Sequence, residues 1–183
     1  MSSETSSATL DSALSAPLRE TVLRVEHVVV SLAPGGLERL VVQWTNARNK
    51  RFPGSTRICC LDGFGDLSGG VAADAVTAVG VQRSRFALDF AGLRRLRREL
   101  RNGDVVHSHN LAAQQYAALA LLGTRIRQVH TEHGTNLYSR GVKNGARNFV
   151  LGRMTDAIVA VSQRTAAEIS GPWRMPVRQT RVI

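Results

Sequence analysis

Short apolar runs alternate with helix-patterned stretches along most of this chain, and that alternation restricts the fold more than any other feature. Residues 22–32, 57–61, 76–81, 104–109, 127–131 and 156–161 read as strands, and 177–183 as the start of a seventh. The runs are apolar through and through, as strands of a parallel sheet covered on both faces are. Helical spacing fills the gaps. In 36–49, Leu37, Leu40, Val41 and Trp44 fall at i, i+3, i+4 and i+7. In 89–101, Leu93, Leu96 and Leu100 face inward, with Arg94, Arg98 and Arg101 outward. Residues 111–122 are apolar nearly all round, which predicts a buried helix. Helices are also expected over 144–154 and 163–169, the latter with Ser162 as its N-cap. Residues 64–80 are ambiguous, because Gly69-Gly70 weakens any helix there.

This order specifies an α/β, Rossmann-like parallel sheet flanked by helices on both faces. Such an order sets strands one and four side by side, and ligands bind beyond their carboxyl ends. Those ends carry Pro34-Gly35-Gly36 and His107-Ser108-His109-Asn110. The expected domain covers 21–183. Residues 1–20, rich in Ser, Thr and Ala, lack the basic start and apolar centre of a secretory signal and read as a disordered tail.

No apolar run approaches the roughly 20 residues of a membrane span. Cys59 and Cys60 are adjacent in an apolar run and read as buried free thiols. The net charge of +10 favours anionic partners: nucleic acid, anionic headgroups or phosphorylated substrates. Nucleic acid is disfavoured, because the basic residues have no interleaved aromatics and no recognition motif.

Gly35-Gly36 admits two readings. The pair relieves a tight strand-to-helix turn, or it lets an anionic ligand approach a helix N-terminus, which suits phosphate. Glu38, in the first turn, reads as a cap. The spacing is not the G-x-G-x-x-G of a dinucleotide fold. His107 and His109, two apart on one strand, face one side, and His130 and His133 follow at the next strand exit. No carboxylate or cysteine pattern completes a metal site, so neutral imidazoles bonding a sugar hydroxyl or a phosphate are expected and no metal is required. His27 reads as structural, at the wrong end of strand one. Arg94, Arg95, Arg98 and Arg101 form either a solvated face or a contact for anionic headgroups, where each basic residue adds about 1 kcal/mol.

Four motifs in order resemble the N-terminal domain of family 4 retaining glycosyltransferases: Gly35-Gly36-Leu37-Glu38-Arg39, Asp104-Val105-Val106-His107-Ser108-His109, Val129-His130-Thr131-Glu132-His133-Gly134 and Asp156-Ala157-Ile158-Val159-Ala160-Val161-Ser162. The resemblance covers about residues 23–183. It implies one half of a GT-B architecture, in which this domain mainly holds the acceptor and a second domain holds the nucleotide-sugar donor. It implies that Gly35, Gly36 and Gly134 lie at the donor phosphates and sugar, that His133 contacts the transferred sugar, and that His107, His109 and Asn110 line the acceptor side. The co-substrate would be a UDP- or GDP-sugar and the acceptor a glycan or glycolipid, in cell-envelope polysaccharide synthesis. The setting would be cytoplasmic, at the inner face of the cell membrane. The donor domain, with its paired glutamates, is not in these residues, so the chain alone is expected to be inactive. The alternative is a non-catalytic module that binds an anionic glycolipid or partner.

Overall fold

The computed structural model describes residues 22–82, 88–134, 142–171 and 180–182. The expected tail (1–20) and the first part of the seventh strand (177–179) lie outside the described residues. The strands are β1 (Val25–Val29), β2 (Thr56–Cys60), β3 (Val76–Ala78), β4 (Val105–His109), β5 (Arg127–Glu132), β6 (Ala157–Ala160) and β7 (Thr180–Val182). All pair in parallel, in the order β3-β2-β1-β4-β5-β6-β7. The chain builds outward from β1 to β3, then returns to lay β4 against the other side of β1. The direction of winding therefore reverses between β1 and β4, the place where a doubly wound sheet opens a ligand crevice.

The helices are α1 (Gly36–Arg51), α2 (Phe90–Leu100), α3 (Leu111–Ala120), α4 (Val142–Met154) and α5 (Gln163–Ser170). Strand β1 starts at Val25 rather than at 22, because Val22 and Leu23 are exposed and outside the ladder. The ambiguous stretch holds two 3-10 turns, Asp66–Gly70 and Ala73–Ala75, before β3. Among the described residues, three helix starts carry side-chain caps. Asp89 accepts from Gly92 N at 2.8 Å, Asn110 from Ala113 N at 3.2 Å and Ser162 from Thr165 N at 3.1 Å. Each satisfies one of the N–H groups that a helix start leaves unpaired.

Strand alternation divides the interior between two faces. Val29, Ile58 and Cys60 pack with Leu32, Val41 and Val71 on the α1 face. Val28, Cys59 and Val106 pack with Leu96, Leu100, Ala113 and Ala117 on the α2–α3 face. Cys59 and Cys60 are both buried and free, and point to opposite faces, as successive strand residues do. Helix α3 is not wholly apolar inside. Gln114, fully buried, donates to Thr155 Oγ1 at 3.1 Å, and Gln128 donates to Gln114 O at 3.1 Å.

Of the basic set on α2, Arg94, Arg98 and Arg101 are exposed. Arg95 departs from the expectation. Its guanidinium donates to Val79 O at 2.9 Å and Gly80 O at 2.8 Å, which ties α2 to the β3 exit. The neighbouring Arg97 likewise donates to Ala120 O and Leu122 O at the end of α3. No described helix is long and apolar enough to cross a membrane.

Candidate functional site

Three strand exits meet at the winding reversal. The β1 exit leads through Ala33, Pro34 and Gly35 into α1. The segment after β2 buttresses it: Leu67 N donates to Leu32 O at 3.0 Å, and Gly65 lies so close that a Cβ there would strike the backbone of Leu32 and Ala33. Gly65 is the glycine that packing requires here, and it was not among the expected site residues.

Gly35 and Gly36 are not demanded by backbone conformation. Gly35 is extended, at φ −163 and ψ 167, which any residue adopts, and neither glycine has a positive φ. The turn-relief reading therefore lacks support at this pair. Their bareness acts on space instead. A Cβ on Gly36 would meet nothing within 4 Å, and the same holds at Gly134 on the β5 exit. At Gly35 a Cβ would strike the Glu38 carboxylate, which folds back over the start of α1. Gly35 supplies no side-chain cap, so the first turn presents bare N–H groups and the positive end of the helix dipole. The carboxylate of Glu38 sits against that end, the favourable place for an anion.

Asn110, at the β4 exit, is the one described non-glycine residue with positive φ, at φ 64 and ψ 160. That region is almost exclusive to glycine, and strain of this kind gathers at functional sites. Its side chain is spent on capping α3.

The histidines sort by strand register. His27 pairs with His107 across β1 and β4, and His109 lies two residues further along, so all three face α1. The reading of His27 as lying at the wrong end is corrected. It sits mid-strand, buried, with Nδ1 3.0 Å from His109 Nε2. His109 Nδ1 in turn lies 3.1 Å from His133 Nε2. His107 Nε2 lies 2.7 Å from Thr131 Oγ1, and its ring centroid is 4.2 Å from that of His109. Trp44 of α1 stacks on His107 at 6.1 Å. His130 belongs elsewhere. It faces the opposite side of the sheet, with Nδ1 3.1 Å from Ser108 Oγ and Nε2 3.6 Å from Glu132.

Burial decides what each imidazole can touch. His109 is fully buried, so it does not line the crevice as expected, and His107 is half-buried. His133 and Gly134 are half-buried and Gly36 exposed. Burial pulls His27 down to about 4 and His107 to about 3, and lowers His109 further than an ordinary imidazole by desolvation and its histidine neighbours. His133 is lowered by burial too, opposed by the carboxylates of Glu132 and of Glu38 from α1. These rings are neutral at physiological pH. Each offers one donor and one acceptor. One nitrogen each from His27, His107 and His109 lies within 4.8 Å of the others, a donor set of the kind that holds zinc or a similar ion.

The site thus joins a bare helix N-terminus, open space over Gly36 and Gly134, and a neutral imidazole at the rim. That combination can hold a diphosphate and hydrogen-bond a polyhydroxylated ligand beside it. The model of Glycosyltransferase Family 4 matches residues 25–183. None of the curated proteins matches the chain. Among solved structures, a glycosyltransferase from Rickettsia africae aligns with a TM-score of 0.66 at 17% identity, over 89% of this chain and 43% of that one. HepE from Anabaena, in complex with UDP and glucose, aligns with a TM-score of 0.65 at 16% identity, over 88% of this chain and 44% of that one. HepE in complex with UDP-glucose aligns with a TM-score of 0.64. At these identities the likeness concerns the fold, and this chain spans less than half the length of those proteins. The sheet order, the helices on both faces and the match over residues 25–183 agree: the chain belongs to glycosyltransferase family 4.

Proposed function

We propose that this chain forms the acceptor-side half of a retaining glycosyltransferase, which moves a sugar from a UDP- or GDP-sugar to a glycan or lipid-linked acceptor. The observation that carries the reading is the uncapped start of α1 at Gly35-Gly36, with open space above Gly36, beside His133 at the winding reversal. The helix N-terminus meets negative charge as it develops on the leaving diphosphate, and the reaction then needs no metal for that task. His133 hydrogen-bonds the transferred sugar, with Gly134 leaving room for it. Glu38 yields its place at the helix start to the incoming phosphate. Asn110 stands at the acceptor side, while His107 and His109 support the crevice from beneath. A second domain closes the cleft over the donor and excludes water. HepE with bound UDP-glucose supports the nucleotide-sugar reading.

The chain also carries a basic, partly apolar face. Arg94 and Arg98 share α2 with Phe90, which is 72% exposed, Arg101 caps its end, and Leu88 continues into an open apolar groove lined by Leu119, Val150 and Leu151. This face suits contact with the anionic inner leaflet of the cell membrane. The same face would serve a non-catalytic glycolipid-binding module. Sedimentation with anionic vesicles tests the contact.

Transfer is tested in the enzyme that contains this chain. His133→Ala is expected to lower sugar transfer about 100-fold, the scale of losing one preorganised hydrogen bond at a reacting centre, with the native circular dichroism spectrum kept. Near wild-type turnover would refute the assignment. Vesicle binding with no transfer by that complete enzyme would favour the module.

A further inference from the structure

The imidazoles of His27 and His109, both buried, and of His133, half-buried, form a continuous line. His27 Nδ1 lies 3.0 Å from His109 Nε2, and His109 Nδ1 lies 3.1 Å from His133 Nε2. Both distances are those of N–H···N hydrogen bonds. A neutral imidazole has one N–H and one lone pair. His109 uses both nitrogens in this line, so it must donate on one side and accept on the other. The two bonds therefore run in the same direction along the line. If His27 donates to His109, then His109 donates to His133, and His133 carries its proton on Nδ1. If the direction reverses, His133 carries its proton on Nε2 and presents a lone pair at Nδ1.

We propose that His27 is a positioning residue: through His109 it holds His133 in a single tautomer, so that the remaining nitrogen of His133 meets the ligand as a donor only or as an acceptor only. This rests on the reading of His133 as the ligand-facing group. Three features keep the line in place. His27 and His109 are both at most 4% exposed, so water does not compete for their nitrogens. His107 packs against His109, tilted at 38°, and is itself held by Thr131. Trp44 packs over His27 at 6.4 Å and closes the α1 side. Burial away from water disfavours a charged imidazolium, which keeps one proton per ring.

The test needs no catalysis. Long-range proton–nitrogen correlation spectra of the chain with labelled histidine report the tautomer of each of the five rings. The expected result is one bare and one protonated nitrogen on His109, and a single tautomer for His133. His27→Phe is expected to return His133 to the exchanging mixture of a free imidazole. His27→Gln, which keeps a donor and an acceptor, is expected to preserve more of the single form. An unchanged His133 tautomer in folded His27→Phe overturns the proposal. So does a stoichiometric transition metal, found by elemental analysis, bound to His27, His107 and His109. Where His27→Phe loses the native circular dichroism spectrum, averaged nitrogen shifts on His109 of the unsubstituted chain overturn it alone. In the complete enzyme, His27→Phe is expected to lower kcat with little change in KM for the donor. Absence of sugar transfer with the coupled tautomers intact would refute the proposed function and leave the coupling standing.

Discussion

Glu26 gives the sharpest test of the energetics of this fold. It lies on β1, only 3% exposed, on the face opposite His27. Its carboxylate is 3.8 Å from Arg57 Nη1 and 3.8 Å from Cys59 Sγ. Arg57 also bonds Glu99 at 3.3 Å, so two carboxylates share one guanidinium. Burial dominates, and the carboxyl rises from the ordinary 4.5 to about 7, with Arg57 opposing the rise. A raised carboxyl means that the folded chain binds a proton the unfolded chain releases. The stability this group contributes is therefore full below pH 4.5 and is lost as pH rises through about 7. At about 1.4 kcal/mol per pH unit, the loss amounts to about 3 kcal/mol.

Glutamine copies the protonated acid in shape and polarity. Glu26→Gln is expected to raise stability at pH 8 by about 3 kcal/mol and at pH 5 by less than about 1 kcal/mol. Urea unfolding followed by circular dichroism at both pH values measures this. With a slope of about 1–3 kcal/mol per M, the midpoint at pH 8 moves up by about 1–3 M. The histidines titrate alike in both proteins and drop out of the difference. An equal effect at the two pH values, or a loss at pH 8, would refute the reasoning. It would show that the ion pair with Arg57 outweighs desolvation.

Two other perturbations follow from the same packing. His27 and His107 titrate near 4 and 3 in the fold, so the stability they contribute is present above pH 6.5 and lost as pH falls through those values. In the Glu26→Gln background, where the opposing carboxyl is gone, urea midpoints should fall steadily between pH 6.5 and 4.5, and a flat profile would show that the rings are not held neutral. Gly65→Ala should cost about 1–3 kcal/mol, because its Cβ meets backbone that must shift, whereas Gly36→Ala, which projects into open space, should change the urea midpoint little.

The parallel sheet was readable because short strand runs alternate with helices of clear period, although the strands are not apolar throughout: β4 (VVHSH) and β5 (RQVHTE) bury polar residues on both faces. That Gly36, His133 and Gly134 follow the exits of β1 and β5, either side of β4, was readable from topology, since winding from β1 fixes the strand order. Boundaries set by exposure were not readable. Val22 and Leu23 look like strand residues and lie outside the ladder. The fate of Arg95 depends on two carbonyls contributed by the β3 exit, which no helical pattern reveals.

His27 was hidden for a physical reason. Glu26 apart, its neighbours in sequence are apolar, and its partners lie about 80 residues away on β4. Only the register that sets Val25 against Val105 places His27 level with His107 and within reach of His109. Sliding β1 by one residue would turn His27 to the other face and Val28 toward α1. Because the histidine line exists in one register alone, it both depends on the sheet and favours it. A misregistered β1 would leave His109 buried without its partner, at the cost of an unpaired polar group in the core.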